Sequence, residues 1–284
     1  MKILRGIFVS DLHGKENRYE KLIQVIREEE PDAVFIGGDI LPGFIRSKKK
    51  VKRFLDEFLF NPLSEIREDS DLDIRCFIIM GNDDPRKFEQ ILLEADEKGN
   101  VDYINQRCVT YGGIDICGYS FVPPTPFQLK DWEKYDVSRF TDIGAVSPEN
   151  GTRTVDVPEN KIRHSTIKDD LDELAGRTGS DKTIYLFHAP PYETDLDRAD
   201  LDGKKVQHVE MDVHVGSIAI KRFIEEKQPL LTLHGHVHET VELTGKWKDM
   251  IGETLCITGV HSGEELALIR FDTDDLIGAS REII

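Results

Sequence analysis

The stretch KILRGIFVSDLHGKENRYEKLIQVIREEEPDAVFIGGD, residues 2–39, decides the fold. Residues 3–9 are an apolar run of strand length. Residues 16–30 form an amphipathic helical stretch that Pro31 stops, and residues 33–36 are the next apolar run. Strand, helix, strand in this order needs a crossover, which gives parallel pairing of right-handed sense. The pattern extends outward. Residues 47–60 place Val51, Phe54, Leu55, Phe58 and Leu59 at helical spacing. Residues 74–80 read as a third strand, and 85–98 as a helix with Pro85 in its first turn.

After Asn100 short strands follow in succession, at 107–110 and 114–118, then at 183–187 beyond a long interruption. A helix over 216–227 leads to a strand at 230–233, and strands at 239–243, 254–258 and 266–271 complete the chain. This layout predicts an α/β fold: a four-layer α/β/β/α sandwich of two mixed sheets, packed face to face and flanked by helices, as one domain over residues 1–284. The interruption, 123–181, shows no hydrophobic period until a helix near 166–174. It carries PPTPF, Trp132, Tyr135, Arg139, Arg153 and Arg163. Either it forms a rim or lid over a phosphate site, or it is a surface excursion that Trp132 packs down.

Charge narrows the partners. The net charge of -17, from 54 acidic and 37 basic residues, repels polyanions, so nucleic acid is not an expected partner. The basic cluster SKKKVKR, residues 47–53, reads as the exposed face of its helix. A small phosphorylated molecule remains compatible, because bound cations can dominate the local field. Cys76, Cys108, Cys117 and Cys256 show no C-x-x-C spacing and sit in apolar contexts. They read as buried free thiols of a reducing, cytoplasmic protein. Met1 leads straight into a strand with no basic-then-apolar leader, and no apolar run reaches membrane length, so no membrane partner is expected.

Five short patches carry metal-binding side chains: Asp11 and His13 in SDLHG, Asp39 in GGDI, Asn82 in GNDD, His188 in FHAPP, and His236 and His238 in HGHVH. Each directly follows an apolar run, so each sits at a strand end, and strand ends at one sheet edge can meet around a common centre. Hard oxygen donors mixed with imidazoles suit a pair of first-row dications rather than a structural zinc knot. His236 and His238 alternate on a strand-like stretch, which would point them to the same side.

The ordered series Asp11-x-His13, Gly38-Asp39, Gly81-Asn82, His188 and Gly235-His236-x-His238 resembles the calcineurin-like metallophosphoesterase superfamily, and FHAPPY with QPLLTLHGHVHE resembles its prokaryotic single-domain branch. The resemblance implies that Asp11, His13 and His238 bind one divalent ion, that Asn82, His188 and His236 bind a second, and that Asp39 bridges them. It implies a phosphoesterase acting through a hydroxide held between the ions, on a phosphomonoester or phosphodiester of a small molecule. Manganese, iron and zinc are the foremost candidates, with cobalt and nickel compatible with the same donors.

The chain departs from the pattern after Asn82. The family usually has a histidine there, proposed to protonate the leaving group, whereas this chain has Asp83. A carboxylate near two dications is ionised at neutral pH and donates no proton. The leaving group then departs unaided, or His214 or His234 supplies the proton, or Asp83 orients a water. His234 otherwise reads as a donor supporting the ligands from behind or as a plain strand-end residue. His214 and Ser217 read as phosphate donors, or as a first-turn residue and an N-cap. Arg86 reads as a phosphate contact or a solvated helix start. Alternatives to the small-molecule esterase are a nuclease, which would need a basic groove, and a catalytically weak scaffold on the same fold.

Overall fold

Neighbouring residues of the first strand, β1 (Arg5–Val9), belong to different cores. Phe8 packs with Leu4, Phe35, Phe77 and Leu233 in one cluster, while Ile7 and Val9 join Leu22, Ile26 and Leu55 in another. Period-two alternation thus buries both faces of the strand, which is why its sequence reads as an unbroken apolar run.

The computed structural model describes residues 3–43, 47–70, 73–178 and 182–284. The remaining strands among these are β2 (Ala33–Gly37), β3 (Arg75–Ile79), β4 (Asp102–Tyr103), β5 (Arg107–Tyr111), β6 (Ile114–Tyr119), β7 (Thr183–Phe187), β8 (Lys205–Val206), β9 (Val209–Glu210), β10 (Leu231–His234), β11 (Lys248–Ile251), β12 (Thr254–Thr258), β13 (Ala267–Asp272) and β14 (Asp275–Ile283). The helices are α1 (Glu16–Glu29), α2 (Lys48–Leu55), α3 (Asn61–Ser70), α4 (Glu89–Glu97), α5 (Glu159–His164), α6 (Ile167–Ala175), α7 (Ile218–Lys227) and α8 (Thr240–Thr244). One sheet has the order β14-β13-β1-β2-β3-β4, the other β11-β12-β10-β7-β6-β5, and β8 and β9 form a small ribbon. Within the first sheet β1, β2 and β3 are parallel; within the second β6, β7, β10 and β12 are parallel. Antiparallel edges make both sheets mixed. Phe8, Phe35, Phe77, Ile184, Leu186 and Leu233 fill the layer between the sheets.

Several sequence expectations change. The helix at 47–60 does not end there: α2 passes through a π-helical turn, Asp56–Phe60, into α3. Residues 239–243 are not a strand. They form α8, because Thr240 Oγ1 donates to Asp195 O at 3.0 Å and accepts from Arg198 N at 3.1 Å, fixing a turn that Gly245 closes at φ +71°. The strand lies a few residues on, as β11. Strand β14 escaped notice because most of it is exposed and lacks an apolar run. The cysteines are not all free. Register in the β5–β6 hairpin sets Cys108 opposite Cys117, and the two form a disulfide. Pairing across a hairpin leaves no C-x-x-C trace, and it removes cysteine usage as an argument for a reducing compartment. Cys76 and Cys256 stay as buried thiols, each pushed up to about 12 by burial. Among the described residues no helix is long and apolar enough to cross a membrane.

The irregular stretch from 123 onward is firmly tied, as far as residue 178; residues 179–181 lie outside the described ones. Trp132 is fully buried and its Nε1 donates to Asp84 O at 2.8 Å, beside GNDD. The ammonium of Lys130 pairs with Glu133 where both side chains are fully buried. The Asp136 carboxylate accepts from Ser217 Oγ and from Ile218 N, securing the start of α7. Helix α6 forms where expected, with Thr166 as its N-cap.

Candidate metal centre

The five patches do follow strands. Asp11 comes two residues after β1, Asp39 two after β2, Asn82 three after β3, His188 directly after β7, and His236 two after β10. Because β1, β2 and β3 are parallel neighbours, and β7 and β10 are too, the ends fall at one edge of each sheet. Backbone bonds then lock the loops together. Asp11 N donates to Gly38 O at 3.0 Å and His13 N to Asp39 O at 2.7 Å, while Gly235 N donates to His188 O at 2.9 Å. The two sheets meet where His236 N donates to both carboxylate oxygens of Asp11 at 3.2 Å.

These turns are strained. Asp11, His13, Asp39 and His236 hold φ values of 55°, 46°, 50° and 79°, a region that non-glycine residues seldom occupy. Such conformations persist only where the surroundings over-determine them, and here they aim the side chains inward. For His236 this corrects the reading of an alternating strand: β10 ends at His234, and the turn, not a pleat, brings His236 and His238 in. Close approach also requires glycine at position 81, where a Cβ would lie 2.3 Å from Asp39 Oδ1, and at position 235, where it would lie 2.2 Å from Ser10 Oγ.

Two groups result. In the first, Asp11, His13, Asp39 and His238 bring one ligand atom each within 4.8 Å of one another. His13 Nε2 and His238 Nε2 are 3.1 Å apart, and His238 Nε2 is 3.1 Å from Asp11 Oδ1. In the second, His188 Nε2 is 3.0 Å from Asn82 Oδ1 and 3.3 Å from Asp39 Oδ2. Asp39 belongs to both. His236 stands beside His188 with ring centroids 5.3 Å apart.

The donor set fits cations. His188 Nδ1 lies 2.8 Å from Gly37 O, and a carbonyl only accepts, so Nδ1 carries the hydrogen. The neutral ring then points the Nε2 lone pair at two oxygens that are themselves acceptors. A cation or a second proton reconciles that contact. Burial would lower His188, but Asp39 and then Asp11 outweigh it and raise it to about 10, which is the proton standing where a dication would. Burial would raise Asp11, yet the hydrogen bond and charge of His238 hold its carboxyl well below the usual range. Burial and His188 push His236 down to about 3, leaving a neutral nitrogen ligand.

The family model for calcineurin-like phosphoesterase matches residues 4–240. The chain belongs to the calcineurin-like phosphoesterase family. An uncharacterized protein of Methanocaldococcus jannaschii is 32% identical over 124 residues, 43% of this chain and 50% of that protein, so the match spans half of the relative's length. TT1561 of Thermus thermophilus superposes with a TM-score of 0.63 at 15% identity, covering 99% of each chain. A dimetal phosphatase from Danio rerio superposes with a TM-score of 0.52 at 11% identity over 95% of each chain. At these identities the structures share the fold.

Other positions in this calcineurin-like phosphoesterase sort clearly. Asp83 stands at the rim, 56% exposed, with Oδ2 3.8 Å from His13 Nδ1 and its backbone N–H donating to Asp39 Oδ1 at 2.8 Å. With protein groups alone, burial and then Asp39 push its carboxyl up. His214 is half-buried, Nδ1 2.8 Å from Oδ1 of the fully buried Asp197, and it lines a cleft that His236 also borders. His234 is away from the centre: Nδ1 donates to Ala189 O at 2.9 Å, Nε2 accepts from Thr232 Oγ1 at 2.8 Å, and burial lowers it to about 4. It cannot protonate a leaving group. Ser217 is the N-cap of α7, accepting from Ile220 N. Arg86 bonds Glu89 and covers the Trp132 ring, while Arg139 and Arg163 both pair with Glu149, so these arginines do not face the centre.

Sequence reading missed three supporting residues. Asp84 is fully buried and accepts from Ile40 N at 3.1 Å, Leu41 N at 2.7 Å and Gly81 N at 2.9 Å, binding the Asp39 turn to the Asn82 turn. Arg18, on α1, donates from Nη1 to Asp11 O and from Nη2 to Gly263 O at 2.7 Å. Asp197 holds His214 and also accepts from Glu193 N, Thr194 N and Gly216 N. GNDD carried the only visible signal, its second aspartate.

Proposed function

We propose that this chain is a phosphoesterase dependent on two divalent metal ions, hydrolysing a phosphomonoester or phosphodiester of a small molecule. The observation that carries the reading is Asp39: one carboxylate belongs to both the Asp11–His13–His238 group and the His188–Asn82 pair. Asp11, His13 and His238 would hold one ion, Asn82, His188 and His236 the other, and Asp39 both. When bound, two such ions would acidify a shared water and clamp phosphate oxygens.

The protein's own groups do the rest. Asn82 is a neutral ligand, which keeps the site from being over-neutralised by carboxylates. The peptide N–H of Asp83 fixes the Asp39 carboxylate. With the ions bound, Asp83 would stay ionised and give no proton. His214 fills the acid role instead: Asp197 holds Nδ1, so Nε2 is the atom that hands a proton to the departing oxygen. The irregular segment from 123 to 178 forms the rim of the entrance. The acidic surface disfavours nucleic acid as substrate.

The test is hydrolysis of p-nitrophenyl phosphate and bis-p-nitrophenyl phosphate by metal-stripped protein reloaded with manganese, iron, zinc, cobalt or nickel. Activity with at least one metal, lost with chelator, is expected; none with any metal favours a scaffold. For the acid, rates are compared over esters of graded leaving-group pKa in wild type, Asp83→Ala, Asp83→His and His214→Gln. A steeper dependence in His214→Gln alone is expected. Identical slopes in all four remove both positions from leaving-group departure.

A further inference from the structure

A cleft of about 290 Å³ borders His236. One side comes from the irregular segment, with Pro126, Phe127 and Ile143; the other carries Leu201, Met211 and Val215. His214 lies on its wall, so the cleft joins the metal centre to the proposed proton donor. Phe127 is 57% exposed and Ile143 44%, an apolar rim that the fold itself does not cover. The charged groups lining it are all acidic, Asp142, Asp212 and Glu239, with no lysine or arginine among the described lining residues. An anionic group entering there meets three carboxylates and no lysine or arginine.

From this we infer that the cleft receives the leaving-group half of the substrate, and that this half is an uncharged apolar group, such as an aryl ring. The inference rests on the phosphoesterase reading and narrows its substrate class: nucleotides and polyphosphates are excluded as leaving groups. The volume is roughly twice that of a cavity which takes up one benzene, so a substituted or fused ring fits. Seating the ring beside His214 brings the ester oxygen to the imidazole while the phosphate faces the metals. Hydrolysis then releases the uncharged alcohol, its proton coming from His214, and the oxygen added to phosphorus comes from water.

The experiment uses non-hydrolysable phosphonates, so binding is read apart from turnover. Methyl-, phenyl- and 4-carboxyphenylphosphonate are titrated into the manganese-loaded full-length protein by calorimetry. Phenylphosphonate should bind about tenfold or more tightly than methylphosphonate, from burial of its ring, and 4-carboxyphenylphosphonate should lose most of that gain. In Met211→Lys the preference between phenyl and 4-carboxyphenyl should invert. In Ala145→Trp, which fills the cleft, the phenyl-to-methyl ratio should fall towards one. Equal binding of methyl- and phenylphosphonate, or tight wild-type binding of the carboxylate, overturns the inference while the metal site stands. Binding of no phosphonate at all overturns the phosphoesterase reading and the inference with it.

Discussion

Asp84 is the residue on which the geometry of the centre turns, although it touches no metal-ligating atom of its own. Its Oδ2 accepts from Ile40 N and Gly81 N, and its Oδ1 from Leu41 N, all in a fully buried setting. Replacing it with asparagine keeps the shape but leaves one acceptor oxygen. In the better orientation the Leu41 N–H loses its partner and faces an amide nitrogen that also donates. An orphaned buried N–H costs about 1–3 kcal/mol, and the buried amide hydrogens cost a similar amount, for a total of about 2–6 kcal/mol. Burial, and then Asp39, push the Asp84 carboxyl up to about 7, so removing its charge returns part of that sum. With about 2.1 cal/mol/K of unfolding entropy per residue over 284 residues, each kcal/mol moves Tm by roughly 1.7 °C. Asp84→Asn is therefore expected to lower Tm by about 3–8 °C in scanning calorimetry at pH 8 with chelator present. Manganese affinity by titration calorimetry should fall by about 10–100-fold, because the Asp39 and Asn82 turns lose their shared anchor. A Tm within a degree of wild type together with unchanged manganese affinity would refute the clamp.

Three further outcomes follow from the same arrangement. Saturating manganese at about 100 times its dissociation constant should stabilise the folded protein by about 2.7 kcal/mol, read as a Tm rise over chelated protein, and Asp39→Ala should abolish the rise. In Gly81→Ala the new Cβ would sit 2.3 Å from Asp39 Oδ1, so the turn must shift; metal-dependent phosphoesterase activity should drop on the order of 100-fold, and activity near wild type contradicts the packing. His234 is held neutral by burial, with its proton affinity lowered to about 4 in the fold against about 6.5 unfolded. A folded state that binds the proton more weakly loses stability as pH falls: the contribution is full above about 6.5 and declines towards 4 by a total of about 3 kcal/mol. In chelated protein, His234→Gln should flatten the stability profile between pH 7 and 4.5 relative to wild type; parallel profiles would mean that the imidazole is not the titrating group.

Much of this was legible in the chain itself. Residues 2–39 spell out strand, helix, strand because both faces of β1 and β2 are buried, and a doubly buried strand has to be an apolar run. The seven candidate ligands were visible for the same reason: each interrupts such a run at its end, where a polar residue marks the sheet edge. What stayed hidden depends on contacts distant in sequence. Cys108 and Cys117 pair only because the β5–β6 register sets them opposite. His236 and His238 converge through a left-handed turn that a period-two reading mistakes for a strand. Asp84, Arg18 and Asp197 look like ordinary surface-prone residues until three turns close around them. The sequence thus determined which side chains are candidates for the metal centre, since residue type and local hydrophobic period suffice for that. Only the tertiary structure decided how they are held, because backbone strain, cross-strand register and buried hydrogen bonds exist only once the sheets have met.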